Sequence, residues 1–112
     1  MVMDDHPLVA QGIIDVVRDI PSIAGARIGD PEAYQNPGKG YNQLWIIDLE
    51  LGKENGFDVI HRIRDINRQC RILVYTMHEE PWVAARLAAL DVDGAVSKSE
   101  PIETLRAAVA AI

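Results

Sequence analysis

Short apolar segments alternate along this sequence with longer segments of helical periodicity, and this alternation limits the possible folds. The clearest apolar segment is residues 44–47 (Leu-Trp-Ile-Ile), which runs directly into Asp48 and then into a polar loop at 52–56. An unbroken apolar run bounded by turn residues is typical of a strand that is buried on both faces, as in a parallel sheet. Its last residue would lie at the carboxyl edge of that sheet, where open α/β folds place their sites. Taken alone, Asp48 is equally compatible with a simple turn-capping role.

The other segments extend this alternation to five strands and five helices. Further strands are predicted at residues 2–3, 26–28, 71–76 and 95–98. Apolar residues at three- and four-residue spacing predict long helices, and Pro31 opens a short one through residue 34. The long helices begin near Pro7, Phe57, Pro81 and Ile102, and their predicted apolar stripes include Val9, Ile13, Val16, Val17, Ile20, Ile60, Ile63, Ile66, Trp82, Val83, Leu87, Leu90, Leu105, Val109 and Ile112. Such alternation predicts a parallel sheet with helices on both faces.

Composition is that of a soluble, single-domain protein. The 112 residues are 48% hydrophobic and 25% charged, and no apolar run approaches the roughly 20 residues of a membrane helix. Cys70 is the one cysteine, so no internal disulfide is possible, which fits a reducing cytoplasm. The acidic first residues do not form a signal peptide. The net charge of −6 argues against direct nucleic-acid binding and is compatible with binding a cation.

Four of the five predicted strands end in side chains that can take part in chemistry. Parallel strands would bring these ends to one edge, and clustered carboxylates there favour a bound Mg²⁺. A lysine and a hydroxyl beside one carboxylate make a pocket for a transferring phosphoryl group, with the carboxylate as nucleophile. Each residue alone also has an ordinary structural interpretation, as a helix cap, a strand end or a solvated lysine. The set consists of Asp4, Asp5, Asp48, Thr76 and Lys98.

These residues carry a family resemblance over essentially the whole chain. Residues 4–9 (Asp-Asp-His-Pro-Leu-Val), Asp48 with Gly56 eight positions later, residues 73–77 and residues 96–98 (Val-Ser-Lys) resemble the landmarks of the receiver domain of two-component response regulators. The opening is most similar to receivers that precede a LuxR-type helix-turn-helix domain. The resemblance implies a flavodoxin-like (βα)5 fold, a doubly wound five-stranded parallel sheet of order 2-1-3-4-5. Residues 1–112 would form one receiver domain without an output domain.

The resemblance also implies a role for each site residue. Asp48 would accept a phosphoryl group from a sensor histidine kinase or a phosphotransfer protein, and Thr76 and Lys98 would bind the phosphoryl oxygens. Lys98 would also pair with Asp48 before transfer. The Mg²⁺ ligands would be Asp5 directly, Asp4 through water, Asp48 itself, and Glu50 through its backbone carbonyl. The chain would be a cytoplasmic switch rather than an enzyme, would form a homodimer on phosphorylation, and would reach DNA only through an output domain.

Four departures from the family pattern bear on these expectations. Residues 51–52 are Leu-Gly instead of Met-Pro, which should make the loop after Asp48 more flexible. Ser99 replaces a proline that usually follows the lysine in the cis form, so the geometry after Lys98 is open. Ala95 replaces a frequent switch aromatic, so we expect activation to rearrange residues 77–84 instead. Met77 is bulkier than the usual residue and is expected to narrow access to Asp48.

Two competing functions are considered. One is a phosphatase of the haloacid dehalogenase type, which also uses an aspartate nucleophile and Mg²⁺. That family requires a second aspartate two residues after the nucleophile, where this chain has Glu50, and it usually carries a cap insertion. The other is a receiver that acts through protein contacts without phosphorylation, for which Met77 and Ala95 leave room.

Overall fold

A computed structural model describes residues 1–4, 6–20, 44–51, 54–66 and 68–112. The predicted strand at 26–28, the short helix at 30–34 and the metal ligand Asp5 lie outside these residues.

Four of the strands form one parallel sheet. They are β1 (Val2–Met3), β2 (Leu44–Ile47), β5 (Arg71–Thr76) and β6 (Gly94–Ser97), in the spatial order β1-β2-β5-β6. The register pairs Val2 with Ile46 and Ile46 with Leu73, so the central strands have hydrogen-bonded neighbours on both sides. This order is the predicted one without its second strand, and the flavodoxin-like fold class is confirmed.

Helices cover both faces of the sheet, which explains why its strands are apolar without interruption. The helices are α1 (Pro7–Arg18), α2 (Gly56–Ile66), α3 (Pro81–Ala89) and α4 (Ile102–Ala111). Alternate strand residues point to opposite faces. Trp45, Ile47, Ile72 and Val74 pack with α2 and α3, whereas Ile46, Leu73 and Tyr75 pack with α1 and α4. No helix in the described ranges has the length and apolar character needed to cross a membrane.

Some predicted helix stripes differ from the buried ones. In α1 the core takes Ala10 and Ile14, whereas Val9 is exposed and Val16 is only half-buried. Both sets have helical spacing and share Ile13 and Val17, so periodicity alone does not separate them. The remaining differences fall at helix ends, where residues project past the sheet: Ile66, Trp82 and Ile102 are exposed.

The segment after Asp48 is more ordered than the predicted loop. Glu50–Leu51 (β3) pairs antiparallel with Glu54–Asn55 (β4), and α2 begins at the next residue, Gly56. A Cβ at Gly56 would lie 2.7 Å from the Asp48 carbonyl oxygen and 2.5 Å from the Cα of Leu49. Only glycine permits this close approach, and it holds the start of α2 against the segment that carries Asp48.

Candidate phosphoacceptor site

The carboxyl edge of the sheet brings Asp4, Asp48 and Lys98 together, as the sequence predicts. The Nζ of Lys98 donates to Asp4 Oδ2 at 2.6 Å and to Asp48 Oδ2 at 2.9 Å. Both carboxylates are almost fully buried, with side chains 1% and 6% exposed. Because buried carboxylates this close repel each other, the ammonium group between them supplies the compensating charge.

The same pair of acids determines the protonation of Lys98. Burial by itself lowers the pKa of Lys98, but the hydrogen bonds to Asp4 and Asp48 outweigh it and raise the pKa above its ordinary value. Lys98 therefore stays an ammonium ion throughout the physiological pH range.

Backbone amides hold the second oxygen of each carboxylate. Asp48 Oδ1 accepts the N–H of Glu50 at 3.2 Å, and Asp4 Oδ1 accepts the N–H of His6 at 2.9 Å. The imidazole Nδ1 of His6 lies 3.3 Å from the same Asp4 oxygen. The carboxyl plane of Asp48 is thus fixed by donors on both of its oxygens, Lys98 on one and Glu50 on the other.

Thr76 lies at the end of β5, one strand over from Asp48. Its side chain is buried, and Oγ1 accepts the N–H of His78 at 3.3 Å. A hydroxyl that accepts one hydrogen bond can still donate its own proton to an anion oxygen. Thr76 therefore stands at the predicted edge as a donor for an anion.

A contact between His78 and Glu50 closes one side of this edge and is missing from the sequence-based expectations. His78 Nε2 lies 2.5 Å from Glu50 Oε1, and Nδ1 lies 3.5 Å from Glu80 Oε2. The hydrogen bond to Glu50, more than any other factor, raises the pKa of His78. The predicted role of Glu50 uses its backbone, so its side chain is available for this contact. The two residues are 28 positions apart, and no local pattern links them.

A second unpredicted set of contacts joins the loops after Thr76 and Lys98. The Ser99 hydroxyl donates to Glu79 Oε1 at 2.8 Å and lies 2.8 Å from the Ser97 hydroxyl. The Lys98–Ser99 peptide bond is trans. Met77, expected to narrow access to Asp48, is itself 65% exposed.

The residues present fit a hard divalent cation. Asp4, His6 and Asp48 each offer one ligand atom within 4.8 Å of the others. Carboxylate oxygens are the ligands that Mg²⁺ prefers, and the ammonium group of Lys98 shows that this pair already accommodates a positive charge.

A flavodoxin-like sheet with paired aspartates, a threonine and a lysine at its carboxyl edge defines the class of phosphoacceptor signalling domains. Comparison with known families agrees with this class. The model of the response regulator receiver domain matches residues 1–110, and the chain belongs to this family.

Relatives of the chain are transcriptional regulators. It is 30% identical over 105 residues to the methanol utilization control regulatory protein MoxX of Paracoccus denitrificans, which covers 90% of this chain and 47% of that protein. It is 29% identical to the transcriptional regulatory protein ComA of Bacillus subtilis, covering 94% of this chain and 51% of that protein. The chain thus spans about half the length of these curated relatives.

Solved structures extend the comparison. RcsB of Salmonella enterica serovar Typhimurium, bound to promoter rprA in the presence of the phosphomimetic BeF3−, superposes with a TM-score of 0.82. It is 26% identical, and the match covers 99% of this chain and 65% of that one.

Proposed function

We propose that this receiver domain of two-component signalling accepts a phosphoryl group on Asp48 and thereby changes conformation to control transcription. The observation that carries the proposal is the buried Lys98–Asp48–Asp4 arrangement at the carboxyl edge. In support, a response regulator of Burkholderia pseudomallei that is 25% identical, with a TM-score of 0.74 over 96% of this chain and 63% of that one, has been solved with a phosphorylated aspartic acid and a calcium ion.

The contacts of Asp48 suggest how transfer would proceed. An Asp48 oxygen attacks phosphorus while the bond from phosphorus to the donor nitrogen breaks, and the released imidazole takes a proton. The Glu50 amide keeps the carboxyl group oriented, since it holds Oδ1. Lys98 then exchanges its hydrogen bond to Asp48 for one to a phosphoryl oxygen, and Thr76 donates to another.

A metal ion would complete the charge balance of the pocket. Mg²⁺ would be held by Asp4, Asp5, Asp48 and the Glu50 carbonyl, and when bound it neutralises charge on the phosphoryl oxygens. The residues of the chain would supply the nucleophile, the ammonium group and the hydroxyl.

The phosphodonor would be a protein, either a sensor histidine kinase or a phosphotransfer protein. Large apolar side chains are exposed on helix first turns and on the loop that follows Thr76, all at the carboxyl edge. They are Leu8 (89%), Met77 (65%), Trp82 (57%) and Ile102 (40%). Exposed apolar residues grouped around one site are typical of a protein-docking surface.

The output would follow from the relatives. Phosphorylation in the cytoplasm would favour a homodimer, through a surface of the later helices or of α1 with α4. DNA would be bound by an output domain and not by residues 1–112. The chain would act as a switch without turnover and not as an enzyme.

Intact mass after incubation with acetyl phosphate and Mg²⁺ separates the three candidate functions. We expect one phosphoryl group per chain, bound for long enough to be detected. Rapid release of inorganic phosphate with continuous turnover would instead indicate a phosphatase. No reaction would indicate a receiver that acts through protein contacts alone.

A further inference from the structure

The residues on either side of Lys98 form a group of hydrogen bonds that reaches across to another loop. Ser97, Ser99 and Glu79, here called the serine clasp, are joined by Ser99 Oγ to Glu79 Oε1 at 2.8 Å and by Ser97 Oγ to Ser99 Oγ at 2.8 Å. Glu79 belongs to the loop between β5 and α3, and the serines flank Lys98 at the end of β6. The clasp therefore ties the loop after Thr76 to the loop that carries Lys98.

The backbone around Lys98 is held at the same place. The N–H of Lys98 donates to the Thr76 carbonyl at 2.8 Å, and the N–H of Ser99 donates to Ser97 Oγ at 3.1 Å. Ser97 thus both turns the chain after Lys98 and contacts the hydroxyl that binds Glu79. No proline stiffens this turn, so hydrogen bonds are what define it.

Accurate placement of this backbone matters because of the length of the lysine side chain. Lys98 must hold its ammonium group within hydrogen-bond distance of two buried carboxylates, on strands 94 and 50 residues away. A flexible four-carbon side chain transmits any shift of its Cα to the ammonium position.

We propose that Ser99 and Glu79 are positioning residues that hold Lys98 in its phosphoryl-binding geometry. This inference rests on the proposed function, because the reaction is the one that Lys98 would serve. Hydrogen bonds from the Ser97 and Ser99 hydroxyls lower the pKa of Glu79, so its carboxylate stays ionised as their acceptor. Since both Ser99 and Glu79 are exposed, the effect of each bond is modest.

The kinetic test uses single and double variants. Ser99→Ala and Glu79→Ala should each slow phosphoryl uptake from acetyl phosphate about three- to tenfold, the effect of losing one hydrogen bond. The double variant should be no slower than the singles, because both break the same bond. Glu79→Gln should restore the rate, because its amide oxygen still accepts from Ser99.

The matched control is Glu100→Ala, which removes an equal charge one residue after Ser99. It should leave the rate unchanged, and all variants should keep the wild-type melting temperature. The inference is overturned if the singles react at the wild-type rate, if their effects multiply in the double variant, if Glu79→Gln fails to restore the rate, or if Glu100→Ala is equally slow. A melting temperature that falls in step with the rate would show a merely structural role and overturn it as well.

A second measurement tests the clasp independently of the reaction. The sequence has three lysines, Lys39, Lys53 and Lys98, so the side-chain ammonium resonance of Lys98 is assigned by its loss in Lys98→Met. We expect a protected resonance in the wild-type protein and in Glu79→Gln that broadens or shifts in Ser99→Ala and Glu79→Ala. An unchanged resonance in both alanine variants overturns the inference. If the wild-type protein takes up no phosphoryl group, the proposed function fails, and the resonance alone decides whether the clasp places Lys98.

Discussion

The two edges of the sheet are held by different kinds of contact. At the amino edge, Arg64 extends from α2 and donates to the Cys70 carbonyl, to the Asp91 carbonyl at 2.9 Å and to Asp93 Oδ2 at 3.0 Å. Asp93 in turn accepts the N–H of Ile72 at 2.7 Å. At the carboxyl edge, the main contacts join side chains: Lys98 with two aspartates, His78 with Glu50, and Ser99 with Glu79.

This difference matches the proposed switch. Backbone carbonyls at the amino edge can change partner only if the chain itself moves, so that edge is a fixed base. Side-chain pairs at the carboxyl edge can exchange partners when a new negative charge arrives on Asp48. The sheet therefore combines a stiff end with an end whose hydrogen bonds are ready to rearrange.

The largest expected effect is on stability at the amino edge. Arg64→Ala should lower the free energy of unfolding by about 3 kcal/mol, because it leaves a partly buried carboxylate and backbone carbonyls without their donor. Chemical denaturation measures this, and Arg68→Ala, an exposed arginine at the same end of α2, is the control. The folded fraction of Arg64→Ala should still accept phosphate at the wild-type rate. A slower rate in that folded fraction would show that the two edges are not separate.

At the carboxyl edge the expected effect is on chemistry. Lys98→Met keeps the length of the side chain and removes its charge, so phosphoryl uptake should slow by about ten- to a hundredfold. Mg²⁺ should bind more tightly to this variant, because the ammonium group no longer competes for Asp4 and Asp48. Calorimetric titration tests the second point, and weaker Mg²⁺ binding would contradict the charge balance described for this pocket.

Two probes in the native chain report separately on the edges. Burial raises the pKa of the Cys70 thiol, so thiol reagents should label Cys70 slowly near neutral pH, with or without beryllofluoride. Trp82, 57% exposed and 6.0 Å from the ring of Phe57, should change its fluorescence when beryllofluoride binds. Trp45→Phe removes the other tryptophan for this measurement. Faster Cys70 labelling with silent Trp82 fluorescence would reverse the comparison.

The smallest expected effect is the route of the conformational change. Ala95 is an exposed residue of β6 and has no ring to rotate, whereas residues 78–80 are tied to both neighbouring loops. Amide chemical shifts should therefore change most over residues 77–84 when beryllofluoride binds, and little around Ala95. Large shifts along β6 with an unchanged loop after Thr76 would point to another route.

The sequence predicts the features that depend on periodicity and strand direction. Residues 71–76 form a strand as predicted, and Asp4, Asp48 and Lys98 meet because parallel strands share one carboxyl edge. The His78–Glu50 contact and the serine clasp were not predictable in this way. They depend on where loop side chains meet in space, and residues 28 and 20 positions apart leave no periodic signal.

The most direct test of the phosphoacceptor claim compares two buried aspartates that bind the same lysine. After incubation with acetyl phosphate and Mg²⁺, Asp48→Asn should gain no phosphoryl group, because the amide keeps the shape of the side chain but is not a nucleophile. Asp4→Asn keeps the acceptor and should gain one hydroxylamine-labile phosphoryl group, more slowly than the wild-type protein. A hydroxylamine-labile phosphoryl group on Asp48→Asn would show that another residue is the acceptor.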